Sequence, residues 1–145
     1  MNKDVLISIK GLHFDVSDDP EDLEVFQSGQ YYIRGNMHYL IYDEPVEGTD
    51  YTTKNMIKFN STSMTLTKKG VINTSMLFEV AKKNITNYAT PFGTLVIGID
   101  THSIDINTSE DELRLDISYS LDINYEHLSD CNITIIAKNA GDLDI

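Results

Sequence analysis

The segment from Leu113 to Ile123, LRLDISYSLDI, alternates between two kinds of residue without a break. Every odd position is apolar or aromatic, and every even position is polar. Because successive side chains of a β-strand point to opposite faces, this pattern predicts a strand with one face in a core and the other in water. The segment is also about twice as long as a usual strand.

The same period of two recurs along most of the chain. Near the N-terminus it appears in Val5, Ile7 and Ile9, and it returns in two later groups: Thr74, Met76 and Phe78, then Cys131, Ile133, Ile135 and Ala137. No window shows the 3.6-residue period that an amphipathic helix requires. The chain is therefore expected to be all-β.

The stretch TPFGTLVIGIDTHSIDI changes its parity partway along. Leu95, Ile97 and Ile99 occupy odd positions, whereas Ile104 and Ile106 occupy even ones. A strand that bends around a corner of a small barrel often carries a β-bulge or a glycine kink, which shifts the alternation by one residue. We expect such an irregularity between Gly98 and Ser103, after which the strand buries its other face against neighbouring segments.

Short polar segments separate the predicted strands. Gly35-Asn36 suits a two-residue hairpin turn with positive φ, which would set Tyr32 opposite Tyr39. The longest interior loop is predicted from Asp43 to Tyr51. Further joints are expected at the following segments: Asp15–Asp22, Asn60–Thr62, Lys69–Gly70, Thr108–Glu112 and Asn124–Glu126.

These strands and turns predict an antiparallel up-and-down β-barrel of about eight to ten strands. An open sheet of long strands would expose its edges, whereas a barrel removes them and gives each strand one interior face. A β-sandwich is the alternative, although its strands are usually shorter. With 145 residues the chain fits one domain, expected over residues 1–138, followed by a loose tail over residues 139–145.

Charge and cysteine content narrow the possible partners and location. The chain has 11 lysine and arginine residues against 23 aspartate and glutamate residues, a net charge of −12. Such a surface repels phosphate, so neither nucleic acid nor an anionic membrane is the expected partner. No segment approaches the roughly 20 apolar residues of a membrane-spanning helix, and the single cysteine, Cys131, excludes an internal disulfide. A cytoplasmic protein is expected.

The usual signatures of catalysis and metal binding do not stand out. The four histidines, His13, His38, His102 and His127, lie on separate segments, and no acidic cluster has the spacing of a calcium loop. The chain also contains neither a Gly-x-Ser-x-Gly motif nor a glycine-rich phosphate loop. No catalytic residue, metal or cofactor is predicted, and an enzyme is the least favoured function.

Four polar or amphipathic residues share the inward phase of apolar neighbours: Asn55, Lys68, Thr74 and Tyr119. Buried polar groups cost about 1–3 kcal/mol unless they have partners, so these residues could line a ligand cavity in the barrel. Met76 and Phe78 would surround the apolar part of the ligand. Alternatively, each polar residue lies near a strand end, where Lys68 in particular could extend its ammonium into water.

Several motifs resemble one known family. The order YYI, HYLIYDE, TLTKKG, NTSMLFE, YATPFGTLVIGIDT and LRLDISYSLDIN is similar to the YwiB-like family of small uncharacterised bacterial proteins, over roughly Val5 to Lys138. The resemblance implies a calycin or lipocalin-like barrel and brings no established activity or site residues. Lys68 stands where relatives often have arginine, which weakens a bidentate anion site there.

Two functions are compatible with these sequence features. The first is a module that binds a small, partly apolar ligand inside the barrel. The alternative is an interaction or structural module with a plugged barrel, for which a homodimer is one form. An apolar cavity with a few polar groups would favour the first, and a large exposed apolar patch would favour the second.

Overall fold

The computed structural model describes residues 3–11, 24–46, 48–70 and 73–140. These residues form ten β-strands, and all pairs of neighbouring strands are antiparallel. In chain order they are β1 (Lys3–Lys10), β2 (Glu24–Arg34), β3 (Met37–Pro45), β4 (Thr52–Phe59), β5 (Ser63–Lys69), β6 (Thr74–Glu79), β7 (Lys83–Thr90), β8 (Gly93–Thr108), β9 (Glu112–Ile123) and β10 (Glu126–Asn139).

The strands follow one another around a nearly closed barrel. Their order in the sheet is β6-β5-β4-β3-β2-β1-β10-β9-β8-β7, so β1 pairs with β10 and joins the two ends of the chain. The turn after β6 spans the remaining seam between β6 and β7. There the Val80 N–H donates to the Thr62 carbonyl at 3.0 Å, and the Ala81 N–H donates to the Thr101 carbonyl at 3.0 Å. The prediction of an up-and-down barrel is confirmed.

The barrel interior holds the apolar positions that the alternation assigns to it. In β9 the odd residues Leu113, Leu115, Ile117 and Tyr119 are all buried. One continuous core also takes in apolar residues from β1, β3, β4, β5, β6, β8 and β10. Buried residues pair across neighbouring strands, as Ile57 does with Leu40 and Leu66. The interior is therefore filled by side chains over most of its length.

Two β-bulges lie on either side of β9. In β8 the pairing with β9 shifts between Thr101 and Ser103, which leaves His102 as the extra residue. In β10 the register shifts between His127 and Ser129. The irregularity expected between Gly98 and Ser103 is therefore confirmed.

The predicted consequence of the β8 bulge is wrong. Ile104 lies in the same core as Ile97 and Ile99, and Ile106 packs against that core. The extra residue shifts the alternation by one position, so that the strand continues to face the same interior after the bulge. Both halves of β8 thus bury side chains in the barrel, and the second half has no separate buried face.

The predicted hairpin turn at Gly35-Asn36 is also present. Gly35 has a φ of 65°, and Tyr32 pairs with Tyr39. Their rings stack with centroids 4.6 Å apart on the outer face of the barrel. A second two-residue turn, Asn124-Tyr125, joins β9 to β10 with positive φ at both residues, as a type I′ turn requires.

Some sequence-based expectations fall outside the described residues. They concern the joint over residues 15–22, His13 and the tail over residues 141–145. Asn139, the first residue of the expected tail, is the last residue of β10 and pairs with Val5. Within the described ranges, no helix is long and apolar enough to cross a membrane.

Candidate functional site

Three of the four inward-phase polar residues form one row across the barrel wall. Lys68 of β5 lies directly opposite Asn55 of β4 on one side and Thr74 of β6 on the other. Tyr42 of β3 extends the row beyond Asn55. The convergence expected of Asn55, Lys68 and Thr74 is therefore present near one end of the barrel, which we call the Lys68 end.

The polar groups of this row differ in how they are satisfied. Asn55 is 1% exposed, and its Nδ2 donates a long hydrogen bond of 3.4 Å to the Thr53 carbonyl. Its Oδ1 has no hydrogen-bond partner among the described residues. Lys68 is only half-buried, and its Nζ lies 3.5 Å from the Glu44 carboxylate. The ammonium therefore reaches the rim, as the alternative interpretation of Lys68 proposed.

Tyr119 does not join that row. It is 1% exposed and lies opposite Thr101 on β8 and Cys131 on β10. Its ring packs edge-on against Phe78, with centroids 5.2 Å apart. Burial raises the pKa of the Tyr119 hydroxyl well above its usual range, and the neighbouring Cys131 raises it further. The expectation that all four residues meet at one end is therefore wrong for Tyr119.

The apolar residues expected around a ligand belong to the packed interior. Phe78 is fully buried, and Met76 is nearly so. The middle of the barrel is occupied by large side chains exposed by less than 2%. They are Tyr119, Phe59, Phe78, Ile7, Leu40, Ile57, Met64, Leu66, Ile99, Leu115, Ile117 and Ile133. This part of the barrel is consequently filled by the protein's own side chains.

A cavity of about 310 Å³ lies at another position, where the β2–β3 hairpin and the β8–β9 loop meet the first residues of β1. We call it the mouth cavity. Its apolar lining includes Val5, Leu113 and Ala137, all of which are buried, together with the more exposed Ile33. The remaining lining residues are Lys3, Tyr31, His38, Thr108, Ser109, Glu110, Asp111, Glu112 and Asn139.

Tyr31 and His38 form a polar pair in the wall of the mouth cavity. They lie diagonally across the β2–β3 hairpin, since Tyr31 pairs with Leu40 and His38 pairs with Ile33. The Tyr31 hydroxyl lies 2.7 Å from His38 Nδ1. The imidazole also stacks on Phe59, with centroids 4.9 Å apart and planes 9° apart. Burial lowers the pKa of His38 and raises the pKa of Tyr31, so both groups are neutral near pH 7.

The sequence contains a signal for this pair in the parity of its residues. His38 has the same parity as Leu40 and Tyr42, and Tyr31 has the same parity as Ile33. The inward-phase rule that selected Lys68 selects His38 equally well. Four residues along β3 separate His38 from Tyr42, a distance of roughly 13 Å at the usual rise of a strand. The mouth cavity therefore lies well away from the polar row at the Lys68 end.

Two histidines from different strands belong to one hydrogen-bond network on the outer face beside the bulges. His102 Nε2 lies 2.8 Å from the Ser120 hydroxyl, which donates to Asp130 at 2.8 Å. His127 Nε2 lies 3.2 Å from the same Asp130 oxygen. The described part of the chain contains no group of three or more histidine, cysteine, aspartate or glutamate side chains placed to bind a metal. We interpret this cluster as an exposed hydrogen-bond network that links β8, β9 and β10.

The comparisons with known proteins agree with the barrel. The profile of a family described as a domain of unknown function (DUF1934) matches residues 7–135. The uncharacterized beta-barrel protein YwiB of Bacillus subtilis (strain 168) is 28% identical over 116 residues, which cover 79% of this chain and 80% of the relative.

A solved structure shows the same fold. The crystal structure of the ywiB protein from Bacillus subtilis matches this chain with a TM-score of 0.74 and 24% sequence identity. The match covers 95% of this chain and 92% of the solved one. Since the family profile covers most of the barrel, from β1 to β10, the chain belongs to the DUF1934 family of YwiB-like β-barrel proteins.

Proposed function

We propose that this protein is a binding module that holds a small, partly apolar ligand in the mouth cavity. The observation that carries the proposal is the composition of this cavity: a floor of Val5, Leu113 and Ala137 beside a hydrogen-bonded Tyr31–His38 pair. Ligand sites are mostly apolar, with a few placed polar groups, and the mouths of β-barrels are a preferred location for them.

The size of the cavity sets the scale of the ligand. Its volume of about 310 Å³ stands at the lower end of the roughly 300–1,000 Å³ of typical ligand sites. At about 30 Å³ for each water molecule, this space corresponds to roughly ten waters. The proposed ligand is therefore a small molecule, or the end of a larger one. A long acyl chain buried along the barrel axis does not fit, because the middle of the barrel is filled by side chains.

Native mass spectrometry of freshly purified protein tests the proposal, because it reports a bound small molecule and the number of subunits together. Ala137→Leu extends a side chain from the cavity floor and is expected to abolish retention of the ligand. Lys68→Met is the matched control at the Lys68 end and is expected to leave retention unchanged. Loss of the ligand in Lys68→Met alone would instead assign the site to the row of Asn55, Lys68 and Thr74.

A specific observation also favours the interaction module. Ile85 and Tyr125 are 56% and 76% exposed, and both line a shallow depression on the outer face beside Val96 and Gly98. Tyr125 projects from a turn in which its φ is 70°, a conformation that side-chain-bearing residues rarely adopt. If this surface makes a homodimer, Tyr125→Ser should convert a dimer to a monomer in the same mass spectra. A wild-type monomer without a ligand would contradict both functions.

A further inference from the structure

We infer that the mouth cavity selects a ligand with a protonated amine next to a short apolar body. The inference rests on the proposed binding function and adds the chemical class of the ligand. It is argued from the charges, hydrogen-bond acceptors and apolar surfaces that line this one cavity.

The charges around the cavity are predominantly negative. Glu110, Asp111 and Glu112 line one side of the opening, and Lys3 is the cation in the lining. Lys138 lies 3.9 Å from Glu112, but both side chains are about half-exposed, so this pair leaves much of the local field in place. The whole chain has a net charge of −12, which adds to the local field. Such a field concentrates cations and repels carboxylates.

The polar pair in the wall supplies an acceptor in addition to the carboxylates. Because His38 is neutral, its Nδ1 can accept the hydrogen of the Tyr31 hydroxyl at 2.7 Å. The Tyr31 oxygen then keeps its lone pairs as acceptors. An ammonium group has three donors and no acceptor, so it complements this oxygen and the rim carboxylates. A carboxylate head group would face acceptors on both sides.

The apolar floor of the cavity determines the chemistry of the rest of the ligand. Val5, Leu113 and Ala137 present buried apolar surface, and Ile33 forms a partly exposed apolar wall. A hydrocarbon chain that enters the cavity leaves water, which is favourable in proportion to the apolar area that becomes buried. The amine would therefore lie at the rim, and the chain would point toward the floor.

Three ligands with the same chain and different head groups separate charge from hydrophobicity: octylamine, octan-1-ol and octanoate. Dissociation constants at pH 7 and about 20 mM salt, where exposed charges are weakly screened, can be measured by NMR titration. Octylamine is expected to bind about tenfold or more tightly than octanoate, with octan-1-ol between them. Raising the salt to about 200 mM should reduce this ratio.

A pair of charge-matched variants shows whether the rim is responsible. Glu110→Gln combined with Asp111→Asn should reduce the preference for octylamine to about threefold or less, because it removes two rim carboxylates. Asp43→Asn combined with Glu126→Gln makes the same change in net charge at exposed positions outside the cavity lining. This control should keep the preference. If both double variants lose the preference for octylamine equally, the inference is overturned, because the net charge of the whole protein would then cause the preference.

The remaining outcomes distinguish the charge inference from the proposed function. If octanoate binds as tightly as octylamine and Ala137→Leu abolishes both, the cavity binds ligands but the amine preference is wrong. If none of the three ligands binds, or if binding survives Ala137→Leu, the mouth cavity is not the site. Should Ala137→Leu fail to fold, Thr108→Trp places a large ring at the exposed rim and serves the same purpose.

Discussion

Asn55 shows what a single polar residue does inside a filled barrel. Its alternation with Ile57 and Phe59 places it on the inner face of β4, where it is almost completely buried. The amide oxygen has no partner among the described residues, and the amide nitrogen makes only one long hydrogen bond. A buried acceptor without a partner costs stability relative to an apolar group of similar shape. The residue is therefore a local weakness in the Lys68 end.

Asn55→Leu is expected to stabilise the protein. Leucine has a similar size and replaces the unpaired amide oxygen by apolar surface, so the free energy of unfolding should rise by about 1–2 kcal/mol. Urea unfolding followed by far-UV circular dichroism measures the change. Asn132→Leu, at an exposed position on β10, is the control and should change stability little. A clear loss of stability in Asn55→Leu would mean that the amide has a partner that supports the fold.

At the scale of single elements, β8 and β9 show how local pattern becomes barrel geometry. β9 keeps its alternation from Leu113 onward, and its inward residues from Leu113 to Tyr119 belong to the core, with Leu121 packed against it. In β8 the buried positions change parity between Ile99 and Ile104. The extra residue His102 accounts for this change and keeps Ile104 in the core.

Two adjacent substitutions in β9 test this one-sided burial. Ile117→Asp places a carboxylate in the core, where its desolvation should cost several kcal/mol and prevent stable folding. Ser118→Asp places the same group on the outer face and should cost about 0.5 kcal/mol or less.

Thermal unfolding followed by circular dichroism compares the two variants. About 200 mM salt weakens the repulsion between the new carboxylate of Ser118→Asp and the nearby Asp116. An equal loss of thermal stability in both variants would contradict the assignment of one buried and one exposed face to β9.

At the scale of the whole molecule, the closure of the barrel is uneven. β1 and β10 form a regular ladder that starts at Val5–Asn139 and runs through Ile9–Ile135 to Lys10–Thr134. Between β6 and β7, by contrast, the described residues have no ladder pairing, and the hydrogen bonds of the Val80–Lys82 turn connect the two sides. The seam is therefore where the barrel has the fewest backbone hydrogen bonds to break when it opens.

Amide hydrogen exchange should reveal this seam. Amides of β6 and β7 that point away from their one ladder partner are expected to exchange fastest among the strand amides, because opening there breaks few hydrogen bonds. Amides in the middle of β9, which has β8 on one side and β10 on the other, should exchange slowest. NMR-detected exchange in heavy water measures both groups in one experiment. Uniform protection around the barrel would indicate that the seam is closed by pairing.

The sequence by itself determined most of the elements of this protein. Alternation is a local property, so it located several strands, the inward residues of β9 and the irregularity near His102. It did not separate β7 from its neighbours, because no joint was predicted on either side of that strand. Turn positions followed from equally local requirements, such as positive φ at Gly35. The register of the hairpin then predicted that Tyr32 faces Tyr39. Each of these features depends on residues that lie close together in the chain.

Only the tertiary structure decided where space remains inside the barrel. Parity selected Asn55, Lys68, Thr74 and Tyr119 alike, but it does not specify how far along the axis each one lies. The long-range pairing of β1 with β10 and the position of the β8–β9 loop bring Val5, Ala137 and Glu112 around the Tyr31–His38 pair. A cavity is the volume that many distant side chains fail to fill, so no local pattern records it.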